Sequence, residues 1–505
     1  MNKTKLTQKE IAISILLFIV GVALQAGLIF LMLMFRNGSA DIGEVFVENH
    51  DIIITVSVAL VVIFVLTYFY FFFENKSLLA SGSKITELFL LFYVCFLICA
   101  VMDLVIDAMA RPLLLFALLA GKLCKRKDAI FLNTIFAFVL VLNRYLTLLV
   151  DTIGIVSDDA LGLILDDFQV ELIIRLLIIF CGGIVAIFMI QRVKTRMGSV
   201  MVTLVLFIPV VTLNMAMQLP YLQPPYLEND LSQKILEIIN YSILNCIFSV
   251  LLFLFLLPIF EVIFAELTTF RLRELTSDSS KLMKKLKENA SGTYNHSIVV
   301  AQLAESCAIA INEDAELARA AAYYHDIGKL KNPEMFTENQ KGYNVHNELT
   351  PELSVDIIRS HARDGARLIK KHHLPEIFAD VALQHHGTMP IKYFYAKALK
   401  LSDGTLNPVN YSYTGPTPTT KIAAIIMICD ASEAAARSLS DRSPEKVEAL
   451  VKSLVEERMN MDQFVDCDIT LRELSVIIRT LVNNLTGVYH ERIAYPKLVL
   501  SKHNK

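Results

Sequence analysis

The sequence predicts an all-α protein: a polytopic helical membrane region followed by an all-helical domain on the cytoplasmic side. Three observations carry this expectation. Hydrophobic residues make up 54% of the chain and charged residues only 19%, with a mean hydropathy of +0.52, whereas soluble proteins run at about a quarter charged. The long apolar runs lie in the first half. Ten of the eleven histidines lie beyond residue 290, His50 being the exception, in a region where apolar residues recur at spacings of three and four.

The membrane half is set by length. A spanning helix needs about twenty apolar residues, and 11–34, 52–73, 129–150, 171–191, 198–219 and 234–258 qualify. The stretch 88–120 is too long for one span and is interrupted by Asp103, Asp107, Arg111 and Pro112. It reads as a helical hairpin turning at those residues, which makes about eight spans within residues 1–260. Charge tests that count, because basic residues collect in cytoplasmic loops. One set of loops carries Lys3, Lys5 and Lys9, then Lys76 and Lys84, then Lys122, Lys125, Arg126 and Lys127, then Arg192, Lys194 and Arg196. The opposite set carries Arg36, Arg111 and acids such as Asp151, Asp158, Asp159, Asp166 and Asp167. Only the hairpin puts the basic loops on one side, with both termini cytoplasmic. The first span is long and lacks a small-residue cleavage pattern, so it is expected to be an anchor, not a signal peptide. Arg144 and Arg175 lie inside spans at a depth near Asp103 and Asp107. Buried charges of this kind are usually paired; a structural ion-pair cluster is expected, with a ligand-sensing pocket as the alternative.

The segment 261–290 reads as a helical connector, broken at "TSDSS" and looped at "ASGT". Beyond it, 291–440 forms one helical domain and 441–505 a set of helices packing on it. "LSDGTLNPVNYSYTGPTPTTK" is the one long irregular stretch. Ser443 before Pro444 reads as an N-cap with proline at the first helical position, and Thr470 with Glu473 as a capping box. The eight cysteines form no CxxC pair and sit mostly in apolar stretches, as in a reducing compartment. A net charge of -3 gives no bulk attraction for a nucleic-acid polymer.

The chemistry lies in "AAYYHDIGKLKNPEMFTENQ" and what surrounds it. A lone His-Asp pair is ordinarily a satisfied core pair. Here His325 and Asp326 are accompanied by His296, His361, His385, His386 and Asp430 on several predicted helices. Five imidazoles and two carboxylates can hold two divalent metals if those helices converge. Asp326 would bridge them, since a carboxylate has one oxygen for each ion. Two metals about 3.5–4 Å apart activate a hydroxide and neutralise a phosphate under in-line attack. Mixed nitrogen and oxygen donors favour iron, manganese or cobalt over calcium, with zinc allowed.

The order His…His-Asp…Asp is that of the HD superfamily of phosphohydrolases. Together with "FTENQ", "HHGT", "YTGPTP" and "CDASEAAARS" it resembles the membrane-anchored cyclic di-AMP phosphodiesterases, the PgpH-like proteins of the 7TM-HD family. The resemblance runs from about Leu257 to "YHERIAYP", and more loosely over the spans. It implies an HD fold that hydrolyses cyclic di-AMP to linear 5′-pApA with two divalent metals, manganese or iron. One metal would sit on His296, His325, Asp326 and Asp430, the second on Asp326, His361, His385 and His386. Asp326 and Lys329 are the expected catalytic residues, Lys329 steadying a phosphate or leaving oxygen. Gly387 and Thr388 are further expected substrate contacts, as are His346 in the loop after the motif and Arg437, although for Arg437 an ion pair with Glu433 is favoured.

The sequence departs from that family in two places. Family members carry a large extracellular domain between the first two spans, where this chain has only 35–51. Thr417 and Ile422 replace family polar residues that would alter affinity if they met the nucleotide. His372 and His373 in "KKHHLPE" lie outside the family pattern and are expected to face solvent. The expected partners are cyclic di-AMP and the lipid bilayer, with a homodimer as a possible assembly. Two other functions compete. A cyclic di-GMP enzyme would carry a GYP segment where this chain has "HHGTMPIKYFY", and a binding-only nucleotide receptor would not need all seven ligands.

Overall fold

A computed structural model of the chain describes residues 6–37, 42–103, 110–152, 171–219, 231–340, 342–402, 404 and 406–488. The chain divides into two units between Thr268 and Thr269. Both are helical, and among the described residues the only strand-like pairing is an isolated bridge between Pro390 and Ser412.

The first unit contains α1 (Gln8–Asn37), α2 (Ile42–Glu74), α3 (Gly82–Met102), α4 (Leu115–Leu123), α5 (Arg126–Thr152), α6 (Glu171–Arg192), α7 (Arg196–Gln218) and α8 (Leu231–Ile263). Seven of these are long and apolar enough to cross a bilayer. The exception is α4, which has nine residues and is too short for a span of about twenty. Sequence reasoning expected a full eighth span here; the return limb of the hairpin is instead a half-length helix. It survives because Leu113, Leu114 and the residues through Ala120 are entirely enclosed by α3, α5, α6 and α8. Irregular backbone at membrane depth is tolerated only when protein covers it. The buried start of α4 is satisfied across the bundle, the Leu114 amide donating to Ser249 Oγ at 3.3 Å. A second polar contact, Asn214 to Ser242 at 2.8 Å, ties α7 to α8.

The two ends of this bundle differ in charge. At one end Lys122 donates to the Val193 carbonyl at 2.8 Å and Arg126 to Gln191 at 2.8 Å. Arg196 pairs with Glu261 at 2.6 Å, Lys84 with Glu87 and Glu266, and Asn75 donates to Asp128 at 2.7 Å. These contacts gather the ends of α2, α4, α6 and α8 with the starts of α3, α5 and α7. The basic loops grouped by sequence therefore do share one end; Lys3 and Lys5 lie outside the described residues. At the other end Asp103 pairs with Arg111 and with Arg175 at 3.4 Å, while Glu171 pairs with Arg175 at 3.2 Å and Arg144 at 2.9 Å. This is the ion-pair cluster that the buried arginines required, with Glu171 an added member. Asp107 and the acids at 158–167 lie outside the described residues.

The second unit contains α9 (Thr269–Leu275), α10 (Lys281–Asn289), α11 (Ser291–Ala310), α12 (Ala315–Tyr324), α13 (Pro351–Lys371), α14 (Glu376–Gln384), α15 (Lys392–Leu401), α16 (Lys421–Ser438), α17 (Pro444–Asn460) and α18 (Leu471–Val488). The break at "TSDSS" is present, but "ASGT" is not a loop. Only Ala290, with φ -141°, is non-helical, and α11 begins at Ser291, so His296 lies inside the helix. A further break at 264–268 went unread, marked by Ala265 at φ +54°. Caps follow side-chain chemistry: Asp314, Thr350 and Thr420 each accept an amide of the first turn of α12, α13 and α16. Thr470 and Glu473 form the expected capping box. Ser443 occupies the N-cap of α17 ahead of Pro444, but its side chain makes no capping bond.

The centre of this unit is α16. Every residue from Ile422 to Asp430 in it is buried, as expected of a helix that is apolar all round. Helices α11, α12, α14, α17 and α18 pack on it. On the far side α13 packs on α14, α15 and a 3₁₀ turn at Ile327–Lys331. That last contact is backbone on backbone. A Cβ added at Gly328 would lie 2.0 Å from the His361 carbonyl oxygen and 2.4 Å from the Gly365 nitrogen, so only glycine lets the turn after Asp326 reach α13. Gly328→Ala should therefore destabilise the unit by roughly 1–3 kcal/mol through overpacking, read as a lowered thermal midpoint. An unchanged midpoint would mean that this contact is not tight.

Candidate active site

Seven residues named from sequence meet between these helices. His296 comes from α11, His325 and Asp326 from the end of α12, His361 from α13, His385 and His386 from the end of α14, and Asp430 from α16. The Asp326 carboxylate lies at their centre and is 2% exposed. Its two oxygens face different neighbours. Oδ2 lies 3.3 Å from His325 Nε2 and 3.7 Å from His296 Nε2. Oδ1 lies 3.3 Å from His361 Nε2 and 3.6 Å from His385 Nε2. Asp430 closes the first side, with Oδ1 at 3.0 Å from His296 Nε2 and 3.8 Å from His325 Nε2. Its other oxygen reaches His386 Nδ1 at 3.7 Å.

Helix geometry aims the rings. His325, His361 and His385 each donate Nδ1–H to the carbonyl three residues earlier, at Ala322, Ile358 and Ala382. Each ring is thereby held with Nε2 toward the centre, which is how a ligating imidazole is usually oriented. His296 uses a side chain instead: Nδ1 lies 2.7 Å from Glu433 Oε2. An ionised carboxylate only accepts, so Nδ1 carries the proton and Nε2 is left facing the centre. Arg437 braces Glu433 at 2.7 Å. His386 presents Nδ1, and its ring is stacked on Tyr413 with centroids 4.1 Å apart.

Burial and charge act together on these groups. Burial alone would push the Asp326 and Asp430 carboxyls up, but their neighbours hold both well below the usual range: the charges of Lys329 and His325 for Asp326, and hydrogen bonds with His296 and His325 for Asp430. Burial pulls His325 down, yet Asp326 and Asp430 outweigh it and hold the imidazole up at about 10. For His386, burial and the adjacent His385 depress the ring well below its ordinary value.

The donor set fits cations. His325 Nε2 and Asp326 Oδ1 are buried without a hydrogen-bond partner, although such atoms are costly to leave unpaired. His361 Nε2 and His385 Nε2 point at one another across 3.3 Å, which demands a proton or a cation between them. Three groups, His296–His325–Asp326, Asp326–His361–His385–His386 and His325–His385–Asp430, each offer donor atoms within 4.8 Å of one another.

A cavity of about 820 Å³ opens beside the cluster, within the range of small-molecule sites. His296, His361, His386 and Asp430 reach its wall, joined by the aromatic rings of Phe336, Tyr393, Phe394 and Tyr413. Lys329 also reaches it, but its ammonium is held between Asp326 Oδ2 and Glu338 Oε1, both at 2.7 Å. His346 lines the cavity too, with Nε2–H donated to the Met335 carbonyl at 2.8 Å. Arg437 lines it while paired with Glu433, as sequence favoured.

Other expected contacts fall elsewhere. Gly387 and Thr388 are not in the cavity wall. The Thr388 amide and hydroxyl are both engaged by Gln463, at 2.9 and 2.8 Å, and Gly387 takes φ +52° where a Cβ would strike that same side chain. Their role is to shape the turn carrying the paired histidines. Thr417 bonds Asp466 at 2.6 Å and Ile422 is buried in α16, so neither lies in the cavity wall. His372 and His373 end α13, away from the cluster, His373 exposed and His372 half-buried. Sequence reasoning missed the roles of Glu338, Tyr413 and Gln463, and the bond of Glu433 to His296. Glu433 lies one helical turn after Asp430 on the same face and could have been found by that spacing. Gln463 carried no signal at all.

Residues 293–435 match the HD domain family model. The chain is 47% identical over 241 residues to the cyclic-di-AMP phosphodiesterase PgpH of Listeria monocytogenes, covering 48% of this chain and 33% of that protein. It is 42% identical over 243 residues to its Bacillus subtilis counterpart of the same name, covering 48% and 34%. The match thus spans about a third of the length of these curated relatives. The crystal structure of the L. monocytogenes PgpH HD domain in complex with cyclic-di-AMP is 46% identical, with TM-score 0.41, and covers 42% of this chain and 99% of that one. Residues 293–435 of the second unit are thus similar to the HD domain, and over 241 to 243 residues the chain is similar to the two PgpH proteins.

Proposed function

We propose that this chain is a membrane-anchored phosphodiesterase that hydrolyses cyclic di-AMP to linear 5′-pApA. The observation that carries the reading is the division of Asp326, one oxygen toward His296 and His325, the other toward His361 and His385. In this reading His296, His325, Asp326 and Asp430 hold one divalent cation, and Asp326, His361, His385 and His386 hold the second. Manganese or iron suits these nitrogen and oxygen donors. Such a pair would supply a water activated at neutral pH and positive charge against the phosphodiester.

The chain's own residues do the rest. The aromatic wall of Phe336, Tyr393, Phe394 and Tyr413 offers stacking surfaces for two purine bases, each such contact being worth about 1–3 kcal/mol. Arg437 and Lys329 bring positive charge to the cavity edge, where the phosphates would lie. Glu433 keeps the proton of His296 on Nδ1, so Nε2 stays available. The close relationship to two proteins named as cyclic-di-AMP phosphodiesterases supports this substrate over other cyclic dinucleotides. The single basic end of the first unit supports a cytoplasmic HD domain and cytoplasmic termini.

Four outcomes are expected. The unit from Thr269 onward, loaded with manganese, should cleave cyclic di-AMP in a product assay resolved by chromatography; ready cleavage of cyclic di-GMP with cyclic di-AMP left intact would overturn the substrate. Asp326→Ala removes a donor from both cation sites and should lower the rate by roughly three orders of magnitude, each ~1.4 kcal/mol being tenfold, with reduced bound metal by elemental analysis. The double change His372→Ala, His373→Ala should stay within a few-fold on both measures, and equal damage from the two would refute the assignment. Finally, a cysteine placed in 151–167 should react with an impermeant reagent on intact cells, whereas labelling only after lysis would reverse the topology.

A further inference from the structure

Away from the cavity, the second unit has another groove, of about 400 Å³. Its floor is apolar, made by Leu282, Leu330 and Leu368, and its rim is cationic, made by Lys285, Lys331, Arg367 and Lys371. Asp364 is the acid in its lining, and it is taken up by Lys331 at 3.0 Å and Arg367 at 3.6 Å. Among the described residues no carboxylate forms an ion pair with Lys285, Lys371 or the neighbouring Lys281, all three of them exposed. Their field is felt locally: burial first, then Lys285, Lys371 and Lys281, push the His372 imidazole below its ordinary value. An uncompensated cationic rim around an apolar floor suits a ligand that is anionic at one end and greasy at the other. A free phosphate would have no use for the floor.

Chain length says where such a ligand would come from. Only 264–280 separate the last apolar helix, α8, from α10, which carries Lys281 and Lys285. This short connector, seven residues of it in α9, places Lys281 and Lys285 close in sequence to an apolar helix long enough to cross a bilayer. We propose that this groove binds anionic phospholipid headgroups at the bilayer surface. Lys281, Lys285 and Lys371 take the phosphate, and the leucine floor takes the first acyl carbons, in the manner of basic surfaces beside a membrane. The groove wall includes Gly328 and Leu330, so a bound headgroup touches the turn that follows Asp326. The proposal rests on the reading of the first unit as membrane-spanning.

The test is lysine acetylation footprinting of the full chain in nanodiscs, read by mass spectrometry, with no substitution required. Discs of phosphatidylcholine alone are compared with discs also containing phosphatidylglycerol. Lys281, Lys285 and Lys371 should react roughly tenfold more slowly in the anionic discs, with the protection lost at high salt. Lys446 and Lys452, more than half exposed on α17, should react equally in both. Equal reactivity of the three lysines in the two discs overturns the proposal, as does equal protection by inorganic phosphate in neutral discs, which would make this a soluble-anion site. A chain that fails to remain with either disc overturns the membrane reading and the proposal with it.

Discussion

The second unit is organised around one carboxylate. Asp326 is almost fully enclosed, and an enclosed charge is stable only when its surroundings compensate it. Here compensation comes from two directions, because the two oxygens face imidazoles from different helices. That requirement constrains backbone well beyond the site. The chain must turn sharply after Asp326, Gly328 must lie against the His361 carbonyl, and α12, α13 and α14 must end or pass within reach of one point. Lys329 and Glu338 extend the compensation outward, the lysine held between two acids.

The same logic separates the imidazoles that face Asp326 from those that do not. His325, His361 and His385 each donate Nδ1 to a carbonyl three residues earlier, a bond that only a helix or its last turn can supply. His373 sits at φ +53° beyond the end of α13, where no such bond holds its ring toward the centre. His296 lacks the carbonyl bond too, and Glu433 substitutes for it. Orientation of the ring, more than the presence of a histidine, decides which imidazoles face Asp326.

The first unit obeys a different solvent. Its acids and arginines pair at one end, and its lysines and arginines gather at the other. The half-length α4 shows how strongly packing can override length. A nine-residue helix cannot cross a bilayer alone, yet eight consecutive residues around its start have no exposure at all, because four longer helices enclose it.

Much was legible in the sequence for a physical reason. Apolar run length sets which segments can cross a bilayer, helical spacing sets fold class, and the capping box of Thr470 and Glu473 marked the start of α18. The seven site residues could be named because metal-type ligands are few in kind and keep their order along the chain. What sequence could not supply was distance between segments far apart in it. Gln463 holds the turn after His386 from seventy-five residues away, and nothing in its neighbours marks it. Thr388 was expected to meet substrate, but a tertiary contact engages it with Gln463; Lys329 does reach the cavity, with its ammonium held between Asp326 and Glu338. Side-chain identity determined which groups could bind a cation; only the packing of α11 to α16 decided which atoms of those groups face one another. Hydrogen bonds and ion pairs act over a few ångströms, and it is the fold that sets such distances.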